Sequence, residues 1–164
     1  MARSSGPPFG KAWFCLCLAL LLHVTDEAVT GFLSTYNPIV IAFRSRVPWL
    51  PLPLFDFHVW LAGLLAVVAV LLALTPFATR GVAWLHPLAY LFAASMLLNA
   101  LAHMAGTLGA GRWLPVPVPS PIPGFYSSPL LLAASIYLLY QLRARRPVGR
   151  AFSPRTCFPA GPAG

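Results

Sequence analysis

His23 to Glu27 reads HVTDE and carries two of the three acidic residues in the chain. His23 and Glu27 are four residues apart, and Asp26 is three from His23, so the offsets face one side of a helix. Thr30, seven residues from His23, extends the same stripe. A second pair, Asn99 and His103 in NALAH, repeats the four-residue spacing. Three chemistries are open to such a set. His23, Glu27 and His103 are the types of residue that ligate Zn or Fe, with one position left free. Asp26, Asp56 or His58 would add to the same set, His58 as the weaker candidate. Without metal, a buried Glu27 or Asp26 would act as general acid or base. The same groups would otherwise only bind or pass a small molecule.

The surroundings of these residues decide how unusual they are. The chain has 164 residues, 59% hydrophobic and 9% charged. A soluble domain carries roughly 25% charged residues, so these few cannot cover a globule. The composition predicts an all-α integral membrane protein. The net charge of +8 would suggest nucleic acid in a soluble chain, but the basic residues cluster near the termini and read as topology signals and lipid attraction. No nucleic-acid surface, phosphate loop or nucleophile elbow is present. Cys15, Cys17 and Cys157 make no disulfide framework.

Four apolar stretches set the expected spans, at about 12–35, 57–77, 82–106 and 125–142. Each is near the ~20 residues a bilayer core demands. Ala12 to Val24 alone reaches only about 20 Å, so the first span must run on through His23, Asp26 and Glu27. The basic n-region and apolar run also resemble a signal peptide, but no small-x-small site follows, and a retained segment is expected. Residues 1–11 are then a cytoplasmic segment, 12–142 a four-helix membrane domain and 143–164 a basic, disordered tail. Pro38 is expected to stop the first helix, and 38–56 and 107–124 read as Pro-rich connectors.

With four spans both termini share a side. Arg3, Lys11, Arg80, Arg143, Arg145, Arg146, Arg150 and Arg155 fall on it, against Arg44, Arg46 and Arg112 opposite. The positive-inside rule places that side in the cytoplasm, with a bacterial plasma membrane favoured. His23, Asp26, Glu27, Asp56, His58, Asn99, His103 and the turn PGFYSSP at 123–129 then gather at one depth near the outer face. Only His86 is left out. Ionisable residues inside a span are costly, turn inward and often mark function, so the first and third spans are expected to face each other here.

Each residue also has a structural reading. His23 with Glu27, and Asn99 with His103, would lock helices together. Asp56 and His58 would be interfacial, and Ser127 and Ser128 would cap the last helix with Pro129 in its first turn. Gly31, Gly63 and Gly106 would be close-packing positions.

HVTDE at 23–27, NALAH at 99–103 and PGFYSSPLLL at 123–132 together resemble the HXXEE-domain membrane proteins, which are similar in size and carry an H-x-x-E-E motif in the first of about four spans. The resemblance implies a four-helix architecture and points to His23, Asp26, Glu27, Asn99, His103, Pro123 and Gly124; it implies no particular reaction. Asp26 stands where the family usually has Glu, which shortens one arm. The binding candidates in this chain are Asn99, Pro123, Gly124, Tyr126 and Ser127. The expected partners are membrane lipids and a lipid-like or small apolar ligand.

Overall fold

In a computed structural model, residues 7–109 and 116–144 are described. The expected N-terminal segment up to residue 6, Arg112, Cys157 and the basic tail beyond 144 lie outside the described residues. All regular structure within them is helical: α1 (Pro7–Thr30), α2 (Phe32–Arg46), α3 (Phe57–Ala73), α4 (Thr75–Arg80), α5 (Leu85–Leu108) and α6 (Ser128–Arg143).

Three helical segments are long and apolar enough to cross a membrane: Pro8–Thr30, Phe57–Arg80 and Leu85–Leu108. The second joins α3 to α4 almost without a break, because the amides of Phe77 and Ala78 both bond to Leu74 O. α6 has 16 residues, about 24 Å of helix, shorter than the bilayer core.

α1 is the axis of the bundle and packs against α3, α4 and α6, while α5 packs chiefly on α6. Apolar burial alone does not hold helices together in lipid; close packing and interhelical hydrogen bonds do. Both are present along α1. Trp13, fully buried, donates its Nε1–H to Leu71 O across to α3 at 2.9 Å. Gly10 lies so close to Thr79 that an added Cβ would come within 2.5 Å of its methyl group. Phe9 stacks on His86 at 5.3 Å, which accounts for the one histidine away from the polar level. Much of α3 faces outward, including Val59, Val67 and Val70, as a lipid-facing helix should.

The first connector departs from expectation. Helix continues through Pro38 to Arg46, and α1 is separated from α2 by Gly31 alone, at φ +78°. Proline removes one helical hydrogen bond, yet α2 runs on through it, with Pro38 seven residues into a helix of 15. The connector is therefore 47–56, a Pro-rich strap folded back along α2. Asn37 clamps it, donating to Phe55 O at 3.0 Å and accepting from Phe55 N at 3.3 Å. Tyr36 and Arg44 bond the carbonyls of Pro53 and Leu52.

Gly63 was an expected packing site, yet nothing lies within 4 Å of where its Cβ would be; Gly106, by contrast, has Ile122 Cδ1 within 2.6 Å. The second loop is anchored there too, since Ile122 N donates to Thr107 Oγ1 at 3.0 Å.

Candidate metal centre in the membrane

α1 presents His23 and Glu27 one turn apart near its C-terminal end, and α5 presents Asn99 and His103 at the matching level. His103 Nε2 lies 3.0 Å from Glu27 Oε1, and His23 Nε2 lies 3.5 Å from the same oxygen. Asn99 Nδ2 is 2.9 Å from His23 Nε2. The two imidazoles meet edge to face at 4.9 Å. His23 is 1% exposed and Glu27 and His103 are each 5% exposed. Three ligand-capable residues thus sit together where water is scarce.

The third wall is the turn before α6. Ser127 is positioned as the N-cap of α6, but its side chain makes no cap bond. It reaches across to α1 instead. Its N–H and O–H both donate to Asp26 Oδ2, at 2.9 and 2.7 Å. Its oxygen lies 2.8 Å from His23 Nδ1. One arrangement satisfies every partner: with the serine proton given to Asp26, His23 donates through Nδ1–H and its Nε2 accepts from Asn99 Nδ2–H. Ser128 Oγ–H donates to Gly124 O at 2.7 Å and tightens the same turn.

Gly124 is required by two facts. Its φ is +87°, and an added Cβ would lie 2.9 Å from His103 Cε1 and 3.0 Å from Glu27 Cγ. The backbone of the turn therefore lies directly on the cluster. Pro123 is buried beside it, while Tyr126 is 69% exposed and points away. Phe32, just beyond the Gly31 break, closes the other side, with its ring 5.8 Å from His103 and 5.7 Å from Trp60. Nothing in the local sequence around Phe32 announced this; the turn at Gly31 puts it there.

The structure separates Asp56 and His58 from the centre. Asp56 caps α3, accepting from His58 N at 2.9 Å and Val59 N at 3.4 Å. Those backbone donors hold its carboxyl below the usual range. The His58 side chain, 91% exposed, faces Asp56 at 3.6 Å and the Phe57 ring at 5.7 Å. His58 therefore does not join the ligand set, and Asp56 is a cap.

A divalent cation can be tested against this geometry. His23, Glu27 and His103 each offer a ligand atom, all within 4.8 Å of one another. A tetrahedral ion with bonds of about 2.0–2.1 Å places its ligand atoms roughly 3.3 Å apart. Two edges, 3.0 and 3.5 Å, bracket that value, and the third lies within 4.8 Å. Moreover, in that tautomer His23 Nε2 and Glu27 Oε1 turn lone pairs toward each other across 3.5 Å. Two facing acceptors repel unless a positive charge lies between them. The Nδ1 of His103 is buried without a hydrogen-bond partner, so this ring is held by packing rather than by a second bond.

No family model matches the chain, and no curated protein or solved structure matches it either.

Proposed function

We propose that the chain is a multi-pass, HXXEE-like membrane protein in which His23, Glu27 and His103 bind a divalent metal, Zn or Fe, at a reaction centre for a lipid-like substrate. The observation that carries this is the convergence of three buried ligand atoms, His23 Nε2 and His103 Nε2 at 3.5 and 3.0 Å from Glu27 Oε1. Three protein ligands leave one position of a tetrahedral site for substrate. A cation held there supplies Lewis acidity. Glu27 fixes charge at the centre, while Ser127 and Asp26 hold His23 in the tautomer that presents Nε2. Asn99, 2.9 Å from that nitrogen, would give up this contact to a bound ion. Gly124, Phe32 and Pro123 exclude water.

Four spans with cytoplasmic termini accord with the packing. Gly10 of α1 touches Thr79 of α4, so Lys11 and Arg80 lie at the same end, while Arg44, Arg46 and the strap follow the opposite end of α1. α6 serves as the fourth span when its apolar length is continued by the 123–127 turn. A bacterial plasma membrane accords with the same charge bias.

A second reading has its own support. The 3.0 Å contact between His103 Nε2 and Glu27 Oε1 is also a hydrogen bond, and a Glu–His pair can exchange a proton with substrate without metal. A non-catalytic lipid-binding role needs neither chemistry. Elemental analysis of the purified protein separates them. The metal reading expects about one Zn or Fe per chain, lost in His23→Ala and Glu27→Gln with helix content retained. Metal-free wild-type protein of full stability would end it in favour of the acid–base or binding alternatives.

A further inference from the structure

Between α1 and α6 the surface is hollowed into two adjoining cavities that share Leu22. The larger, about 470 Å³, is walled by Leu18, Ala19 and Leu22 of α1 and Leu130, Ala134 and Tyr137 of α6. Its lining is apolar apart from Cys15 and the tyrosine hydroxyl. The smaller, about 320 Å³, continues from Leu22 to Thr25, Asp26, Tyr126 and Ser127. From Cys15 to Asp26 is eleven residues, about 16 Å along the helix, or half of a ~30 Å bilayer core. The groove is thus one leaflet deep, apolar toward the membrane centre and polar toward the surface.

Its polar end carries an unanswered charge. Asp26 Oδ2 accepts from Ser127 twice, but Oδ1 accepts nothing, and no Lys, Arg or His nitrogen lies within ion-pair distance of the carboxylate among the described residues. Thr25 and Thr30 spend their hydroxyl protons on backbone carbonyls of α1. An unpaired carboxylate at membrane depth is expensive, and a cation arriving in the groove would relieve it. Tyr126 offers its ring and hydroxyl beside the same spot. Ser127, in the floor, is one hydrogen bond from His23.

The geometry points to this groove as the site of a single-chain amphiphile with a primary ammonium head group, the head on Asp26 and the alkyl chain running down toward Cys15. The cavity volumes suit one small ligand, and the head group arrives at the wall of the metal centre. The inference deepens the lipid-like substrate of the proposed function and rests on that reading.

A diazirine-bearing tetradecylamine, photolysed with the full chain in zwitterionic phospholipid nanodiscs, tests it by peptide mapping. Label should concentrate on Leu18–Leu22 and Leu130–Tyr137. Unlabelled tetradecylamine should compete at least about tenfold better than tetradecanol. Asp26→Asn should erase that preference, and Leu22→Trp should block labelling with thermal stability and metal content unchanged. Label spread evenly onto Val67, Val70 and Leu98 would mean annular lipid only and overturn the assignment. So would an unchanged amine preference in Asp26→Asn, or crosslinking between cysteines placed at Leu130 of two copies. Metal content, measured in parallel, keeps the two outcomes apart: groove labelling on metal-free protein removes the metal centre alone, and a metal-loaded protein with annular labelling removes the groove alone.

Discussion

At the scale of single residues, the proposed centre depends on groups outside its three ligand residues. Ser127 fixes which nitrogen of His23 carries the proton, through bonds of 2.8 Å to His23 and 2.7 Å to Asp26. Such supporting contacts typically change metal affinity 10–100-fold. Ser127→Ala is therefore expected to weaken zinc binding by roughly that factor in a chelator competition, with the protein still folded. Gly124→Ala meets both a left-handed backbone and the His103 and Glu27 side chains. It is expected to destabilise by about 1–3 kcal/mol, read as a lowered unfolding midpoint in detergent. An unchanged midpoint would mean that the turn is not seated on the cluster. Residue spacing disclosed the convergence of His23, Glu27, Asn99 and His103, because four-residue offsets on apolar helices leave few other arrangements. It did not disclose that Ser127 would abandon capping to bridge two helices, since a serine before Ser-Pro reads as a cap.

At the scale of elements, the strap and α2 were the least legible. Pro38 reads as a stop, yet the helix that begins at Phe32 carries it with the loss of one bond, and Gly31 supplies the break. The break falls seven residues before Pro38, because a glycine at φ +78° ends a helix outright, while the strap bonded to Tyr36, Asn37 and Arg44 on both sides of Pro38 holds α2 in place across it. His58 was misplaced for a related reason: nearness in sequence to Asp56 put it at the right depth, but it extends from the first turn of α3 into the surroundings. Asp56→Ala should raise amide exchange in that first turn. The sign with pH follows from the depressed carboxyl. A depressed acid contributes stability above its unfolded value and loses it as pH falls through the folded one, so wild-type protection there, taken relative to the intrinsic exchange rate at each pH, should fall on acidification. Exchange indifferent to both changes would remove the cap.

At the scale of the whole molecule, composition pointed to helices apolar enough to cross a membrane, since so few charges cannot cover a globule, and three such helices are present among the described residues. The order of the apolar stretches located α1, α3–α4 and α5. It could not give the packing, because in lipid the contact surfaces are chosen by small residues and polar pairs rather than by hydrophobicity; Gly10 against Thr79 and Trp13 on Leu71 O are such choices. The topology has its own test. In a background lacking the native cysteines, a cysteine at Trp49, 80% exposed on the strap, should react with a membrane-impermeant thiol reagent in spheroplasts, and one at Glu27 should resist it. Free labelling at position 27 would take the centre out of the membrane.

The central claim is that His23, Glu27 and His103 surround one cation. X-ray absorption at the metal edge of the loaded protein reads this directly. The account predicts two imidazole nitrogens and carboxylate oxygen at about 2.0–2.2 Å, with the imidazole scattering halved in His103→Ala. A sulfur neighbour at about 2.3 Å, or a shell of oxygens unchanged by that substitution, would contradict it.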